Sequence, residues 1–589
     1  MILILAEKPL AGERIARILS GGKAKRHLFR KHPYWTFKFR GEDAVLVPLK
    51  GHILDVDFPE EFSRWKEEDL EKLVDVPLKQ VITEKTVSAL LRSLAPHVDT
   101  IIIATDADRE GEAIGLEAAE LVMKEKGKRV PVYRARFSAI TKQEILKAFE
   151  SLELPDRNLA ESAFARREID LLWGAVLTRA LSLLTGRRGK EFLSVGRVQS
   201  PTLALVVERE REIEQFKPIP YWVLEALLEK DGKSFKATYA EGQIWQEFMA
   251  KMLYQSVEGA KEGEVFRLER REENVARPVP FDTTTFLREA NHLLGLSAAE
   301  AMAIAEELYM KGLISYPRTD NQSYPPSLDL REIVKMLAKI PEYAPYAQEL
   351  LMQDVFRPSS GRKTEDHPPI HPVGVPEKLS RKEKAVYDLI VRRFLATLFP
   401  PGIIERVRVH IRINGVPFVA ESRRIIQKGW LAVYPNNVKE SALPPLQRGD
   451  ILAVKKVQLL KKQTQPPKRF SQGELVRRME ALMLGTKSTR AEIVAKLFAR
   501  KYIQGKKAIR PTELGKTLVE VLSKYAPDIV TPDMTAKLEQ ELEKIAKGEK
   551  DKESVVNESR KLLRKVLEEI LQRKGDIAAS FGEKGGAAA

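Results

Sequence analysis

The segment IIIATDADREGEAIG, residues 101–115, restricts the fold of this chain more than any other. Ile101 to Ala104 make a short apolar run suited to a buried strand, and Gly111 opens a helical pattern, EAIGLEAAELVMKEKG. Between them Asp106, Asp108 and Glu110 stand at two-residue spacing. If Thr105 to Glu110 is extended, alternation turns all three carboxylates to one side. Three hard oxygen donors at the carboxyl edge of a parallel sheet suit a hydrated Mg²⁺ that also touches a phosphate. The alternative is a solvated acidic turn before a helix, where carboxylates favour the N-terminal dipole. The strand before the motif and the glycine-bearing helix after it weigh against that alternative.

Strand and helix alternate throughout residues 1–155. ILILAE leads into AGERIARILS, DAVLVPL follows, and TIIIAT precedes the acidic motif, which predicts an α/β unit with a mostly parallel sheet. Helical periodicity fills 156–215. After Pro218 and Pro220 the pattern turns strand-like, returns to helices over 279–404, and becomes strand-like again in IIERVRVHIRI and DILAVKKVQLL. This order predicts one β-rich domain made of two segments, 216–278 and 405–470, enclosing a helical insert, 279–404. Residues 471–575 are helical once more and are expected to join 156–215. The small, polar stretch 576–589 is expected to be disordered. At 589 residues the chain has room for several domains.

Several function classes drop out. No apolar run reaches the ~18 residues that cross a bilayer, so no membrane role is expected, and MILILAEKPL meets Glu7 and Lys8 too soon for a signal peptide. The chain contains no cysteine, which excludes disulfides, Cys-ligated zinc and thiol nucleophiles, and a cytoplasmic location fits. GxxxxGK[ST] is absent, so no ATP-hydrolysing P-loop is expected. The 31% of charged residues is in keeping with a thermophilic source. The net charge of +16 points to a polyanion. Between Lys461 and Arg510 there are 14 Lys/Arg against three acids, interleaved with Phe470, Phe498 and Tyr502. Nucleic acid is the partner such a stretch suits, since cations displace condensed counterions and aromatic rings can stack on bases.

A second constellation lies in GLISYPRTDNQSYPP, residues 312–326. Tyr316 is followed by Pro317, which fixes the backbone, and by Arg318. A phenol has a pKa near ~10, so a tyrosine that attacks phosphorus needs help toward phenolate, and a cation nearby can give it. Arg318 can also neutralise the charge that builds on a pentavalent phosphoryl group.

With these residues in view the chain resembles the type IA DNA topoisomerases, of the bacterial and archaeal topoisomerase I/III kind. Nine segments carry the resemblance in the family's order: ILAEKP, TDADREGEAIG, ARREIDLLWG, LSVGRVQSPTL, PVPFDTTTFLREAN, ISYPRTDNQSYP, DHPPIHPV, GTKSTRAEIVAKLFARKYI and PDIVTPDMTAKLEQELEKIA. EKP and YPRTD are most similar to the topoisomerase III branch. The resemblance implies a multidomain α/β toroid: a Toprim domain (1–155), a helical base with a winged-helix-like DNA-binding element (156–215 plus 471–575), the two-segment β-rich domain, and the insert as a gate that carries the tyrosine. Tyr316 then matches the nucleophile that forms a transient phosphotyrosyl bond to a DNA 5′ end, and Arg318 the residue that holds the scissile phosphate. Glu7 and Lys8 match the groups that protonate the leaving 3′ oxygen and pair with phosphate. Asp106, Asp108 and Glu110, with Glu7 nearby, match the Mg²⁺ site. His367 matches an active-site histidine; the alternative is a histidine contacting backbone in a proline turn. Arg166, Arg167, Ser194, Arg197, Gln199 and Thr489 match single-strand DNA contacts, although Arg166 and Arg167 could instead pair with Glu161 or Asp170.

Many relatives end in zinc-binding cysteine clusters, which this sequence lacks, so neither zinc nor ATP is expected as a cofactor. The implied partners are single-stranded and underwound DNA, with RNA left open. A monomer is expected, in a prokaryotic, nucleoid-associated setting, with a helicase or single-strand-binding protein as companion. Three other activities share parts of the pattern: the topoisomerase subunit of a split reverse gyrase, a Toprim nuclease or primase, and a single-strand DNA-binding protein. The last explains neither the tyrosine nor the carboxylates.

Overall fold

In the computed structural model, which describes residues 1–365 and 367–582, strand Ile2–Ala6 is the spine of the N-terminal unit. All five of its residues are buried, as a continuous apolar run demands when both sheet faces are covered. It runs parallel to Glu42–Pro48 on one side and Thr100–Ala104 on the other, and Val132–Arg134 extends the parallel set. The other edge departs from the mostly parallel expectation. Lys25–Phe29, His32–Phe39 and Glu42–Pro48 form an antiparallel meander. Only two residues join each pair, and Arg30, Arg40 and Gly41 take positive φ there. Such short links allow hairpins but no crossover.

The central register sets up everything that follows. Ala6 pairs with Ala104, so Glu7–Lys8 and Thr105–Asp108 leave the sheet side by side at its carboxyl edge. Helix Arg109–Lys126 then folds back tightly over the sheet. A methyl group on Gly111 would stand 2.0 Å from the Asp106 carbonyl oxygen, and one on Gly115 would stand 2.2 Å from Ile103 Cγ2. Glycine at both positions is what permits this close seating.

Helix Arg157–Leu184 carries the base of the molecule. The C-terminal helices Pro532–Ala546 and Lys552–Gln572 pack along it, and the indole N–H of the fully buried Trp173 donates to Ser559 Oγ at 2.8 Å. The β-rich domain is a closed six-stranded barrel. Its strands come from both chain segments: Pro220–Lys230, Lys233–Tyr239 and Glu262–Val275 from the first, and Gly402–Ile413, Val416–Gln427 and Ile451–Gln463 from the second. Closure leaves no edge strand to manage. The insert between them is helical, with Thr283–Leu294, Ala298–Met310 and Arg381–Leu398 as its main helices.

The units touch in a ring. The insert reaches back to the α/β unit, where Tyr316 N donates to the Ser138 carbonyl at 2.8 Å. On its other side Thr283–Leu294 packs against Gln472–Ala481 of the base, and Gly473 N donates to Asn291 Oδ1 at 3.2 Å. One expectation fails at the C-terminus: Lys574–Gly582 is a helix, because Ile577 and Phe581 are apolar enough to bury against the base. The remainder of the stretch expected to be disordered, 583–589, lies outside the described residues. No helix among the described residues is long and apolar enough to cross a membrane.

Candidate active site between the α/β unit and the helical insert

Asp106 and Asp108 are placed by the sheet edge and the start of helix Arg109–Lys126. Asp108 is that helix's N-cap, its Oδ1 accepting from Gly111 N at 2.8 Å. Because helix begins at Arg109, the alternation that the sequence suggested stops one residue earlier. Glu110 therefore does not share the side of Asp106 and Asp108. Its carboxylate lies 3.2 Å from His52 Nε2 and 4.0 Å from an Arg166 guanidinium nitrogen. His52 is raised to about 9: burial opposes its charge, but Glu110 and Glu117 outweigh it. Glu7 joins the two aspartates instead, with its Oε2 accepting from Asp106 N at 3.3 Å.

Two tyrosines of the insert close over these carboxylates. Tyr316 Oη donates to Asp108 Oδ2 at 2.6 Å, and Tyr309 Oη donates to Asp106 Oδ1 at 3.1 Å. The Tyr316 ring is buried between Tyr309, at 5.1 Å between centroids, and His367, at 4.8 Å. His367 does not merely cap its own proline turn. Its Nε2 lies 2.9 Å from the Ala107 carbonyl, which can only accept, and its Nδ1 lies 2.9 Å from Ser138 Oγ. In the neutral ring Nε2 is thus the donor and Nδ1 the acceptor. Both partners belong to the α/β unit, so the histidine ties the insert to it.

The electrostatics separate the carboxyl groups. Burial, then the charges of Asp106 and Asp108, push Glu7 well above its ordinary value. Burial and Asp108 raise Asp106 to about 6. Asp108 behaves differently. Burial favours its neutral form, yet the Arg318 guanidinium and the hydrogen bonds from Tyr316 and Gly111 hold it below the usual range. The phenol of Tyr316 is pushed up by burial and by Asp108, with Arg318 opposing. The expected help toward phenolate from Arg318 is real but outweighed, so the tyrosine here is a phenol hydrogen-bonded to a ready base.

Lys8 and Arg318 meet at a carboxylate that the sequence did not mark. Glu306 Oε1 accepts from Arg318 at 2.5 Å and Oε2 from Lys8 Nζ at 3.1 Å. Burial works against its ionisation, but Arg318 and Lys8 keep Glu306 below its ordinary value. A tyrosine hydroxyl poised on a base, two cations beside it and a carboxylate cluster at a strand edge form a set able to exchange one phosphodiester for another.

Comparison with known proteins decides the family. The DNA topoisomerase family pattern matches residues 155–557, and the Toprim domain pattern matches residues 2–140. The chain is 43% identical over 577 residues to DNA topoisomerase 1 of Thermoplasma acidophilum, covering 98% of this chain and 74% of that protein. It is 46% identical to DNA topoisomerase 1 of Archaeoglobus fulgidus, covering 97% and 84%. The chain belongs to the type IA DNA topoisomerase family. Its fold matches full-length topoisomerase I of Thermotoga maritima with a TM-score of 0.74 at 26% identity, covering 96% of this chain and 90% of that one. The ring of units is thus the toroid of this family, with the Toprim domain at its N-terminus.

The other residues that the topoisomerase resemblance marked gather mostly at one place. Arg166, Arg197, Gln199 and Thr489 line a cavity of about 230 Å³ between helix Arg157–Leu184, helix Gln199–Glu214 and helix Arg490–Ala499. Ser194 stands behind it and donates to Gln199 Oε1 at 3.2 Å. Arg166 pairs with neither Glu161 nor Asp170, but with Glu539 at 2.8 Å. Arg197 takes Asp170 at 2.6 Å and Glu539 at 2.9 Å. Burial favours a neutral Glu539, but Arg166 and Arg197 draw it down to about 2. Arg167 departs from the group: it bonds Glu117 at 3.0 Å, the Leu54 carbonyl at 3.0 Å and His52 at 3.1 Å. Helical spacing turns it toward the Toprim domain while Arg166 faces the cavity.

The aromatic residues of the basic stretch also differ from the expectation. Tyr502 is buried, with Oη on the Ser194 carbonyl at 3.1 Å, and Phe470 lies beneath the Arg209 guanidinium at 4.2 Å. Phe470 and Phe498 are half-buried where they pack against the core, so of the three Tyr502 is the one closed to a base. Sequence reasoning missed Glu306, Ser138, His52 and Glu539. For Glu539 no local signal existed, since 373 residues separate it from Arg166.

Proposed function

We propose that this chain cleaves one DNA strand through a transient 5′-phosphotyrosyl link at Tyr316, passes a strand through the opened gate and rejoins the ends, relaxing negative supercoils or decatenating without ATP. The observation that carries this is the Tyr316 hydroxyl held 2.6 Å from Asp108 at an interface that also brings Arg318 and Lys8 to one point. Tyr316 Oη loses its proton to Asp108 as it attacks phosphorus, and the bond from phosphorus to the 3′ oxygen breaks. Glu7 returns a proton to that oxygen. Arg318 and Lys8 neutralise the phosphoryl charge, and His367 keeps the tyrosine ring in register with the Toprim domain. Rejoining reverses the step, and the phosphodiester's free energy is kept in the tyrosyl link, which is why no fuel is needed.

Toprim domains generally bind Mg²⁺, and the donor set here suits it. Glu7, Asp106 and Asp108 offer hard oxygens; burial first, and then their mutual repulsion, raises Glu7 and Asp106, and a shared cation would relieve both. Among the described residues no group of three or more such side chains is arranged to hold a metal ion by itself. An open site fits Mg²⁺, which keeps several waters and takes one or two carboxylates. Asp106 and Asp108, with Glu7 nearby, would hold it, and Glu110 is left out because His52 and Arg166 engage it. When bound, Mg²⁺ neutralises charge and keeps backbone phosphates in line for rejoining.

For the DNA path, Arg166, Arg197, Gln199 and Thr489 would contact unpaired strand, with Ser194 orienting Gln199 and Arg167 bracing the base against the Toprim domain. The gate would be the insert, 279–404, swinging on the barrel. The test is a single-stranded oligonucleotide labelled at either end, run on a denaturing gel. Protein should be bound covalently to the 3′-labelled fragment, with the adduct mapping to Tyr316 and the 5′-labelled fragment free. Protein-free ends on both fragments would instead mark a nuclease.

A further inference from the structure

The cations meant for phosphate are not waiting free in this structure. Lys8 sits in the Toprim domain at the N-cap of helix Pro9–Leu19, and Arg318 belongs to the insert. Glu306, on helix Ala298–Met310, bridges them with one oxygen to each. The pocket that Glu306 shares with Glu7, Lys8, Asp106 and Tyr309 encloses only about 10 Å³, room for one water at most. A phosphodiester is too large for this pocket as it stands, and the carboxylate of Glu306 already holds both cations. Arg318 also keeps a buried Nε without a hydrogen-bond partner, so the guanidinium has a donor that Glu306 does not use. A carboxylate and a phosphodiester each carry one negative charge, and a phosphodiester oxygen pair can accept from two guanidinium donors at once.

We infer that Glu306 is a built-in stand-in for the scissile phosphate, an electrostatic latch that joins Lys8 of the Toprim domain to Arg318 of the gate and is displaced when single-stranded DNA arrives. This rests on the topoisomerase activity proposed above. The exchange conserves charge: the phosphate takes over Lys8 and Arg318, and the carboxylate swings to solvent, which already reaches about a fifth of its side chain. A DNA phosphate arriving before that exchange meets a second negative charge at the same cations. The latch therefore makes DNA entry and gate closure compete. Loss of the carboxylate's charge should favour DNA.

The test compares the wild-type protein with Glu306→Gln, which keeps the shape, and Glu306→Ala, which removes both charge and contact. Covalent adduct on a labelled single-stranded oligonucleotide is titrated against oligonucleotide concentration at low and high NaCl. Binding without cleavage is measured in parallel on a Tyr316→Phe background. Both variants should reach half-maximal adduct at roughly 3- to 10-fold lower oligonucleotide concentration at low salt, with tighter binding in the cleavage-deficient background and a gap that narrows as salt screens the pair. Adduct from wild type with unchanged or weaker half-saturation in both variants overturns the latch alone and makes Glu306 a positioning residue. No adduct from wild type overturns the topoisomerase mechanism and the latch with it.

Discussion

Removing one oxygen atom, by Tyr316→Phe, separates chemistry from binding. The phenol ring is buried and touches Tyr309 and His367 at 5.1 and 4.8 Å between centroids, contacts that phenylalanine keeps. The lost element is one hydrogen bond, to Asp108 at 2.6 Å. A hydrogen bond to a charged acceptor contributes about 1.5–3 kcal/mol, and Asp108 retains its bond from Gly111 N. Gate closure should weaken by roughly 10- to 100-fold, since about 1.4 kcal/mol is a factor of ten. Strand cleavage should vanish, because among the described residues no other hydroxyl donates to Asp108. Single-stranded oligonucleotide should bind as well as to wild type or better, since a looser gate admits it more readily. Adduct formation by denaturing gel and affinity by fluorescence anisotropy read the two quantities apart. Covalent adduct in the variant would move the nucleophile, with Tyr309 the first to examine. An affinity loss beyond about tenfold would mean that the hydroxyl binds DNA in the ground state.

Three further substitutions probe the carboxylates. Asp106→Asn should sharply reduce Mg²⁺-dependent relaxation, while Glu110→Gln should cost much less, because Glu110 is turned to His52 and Arg166; equal losses in plasmid relaxation at limiting Mg²⁺ would return Glu110 to the metal site. Glu539→Gln should destabilise the base by about 3 kcal/mol at neutral pH, the equivalent of holding a carboxyl at about 2 against an ordinary 4.5. A folded-state value below the unfolded one gives stability that is complete above about pH 4.5 and lost as pH falls toward about 2, so the gap in melting temperature between wild type and variant should shrink across that window. A gap that is absent, or constant with pH, would contradict the role given to Glu539.

The α/β unit and the two-segment barrel were legible because local patterns encode them. Continuous apolar runs such as Ile2–Ala6 and Ile101–Ala104 are unambiguous, and among the described strands those from Gly402 to Gln463 close a barrel with the first β segment. The meander at the sheet edge was missed because strand periodicity does not reveal direction; only the two-residue links do. Within the site, Tyr316, Arg318 and the two aspartates stood in motifs, whereas Glu306 reads as one more acid on an amphipathic helix until Lys8 is brought to it from 298 residues away. Glu110 shows the limit of spacing arguments: two-residue periodicity holds in a strand and fails at the first helical residue, Arg109. The aromatic residues between Lys461 and Arg510 were read for their chemistry, but their burial is decided by tertiary packing, and Tyr502 went to the core.

The central claim, passage of a strand through a single transient break made by Tyr316, is tested most directly by resolving individual topoisomers on a gel without ATP. Negatively supercoiled plasmid should relax with its linking number changing in steps of one, and intact positively supercoiled plasmid should be left nearly untouched unless a single-stranded bulge is supplied. Steps of two, a need for ATP, or equal activity on intact positive supercoils would contradict the account even with Tyr316 as the nucleophile.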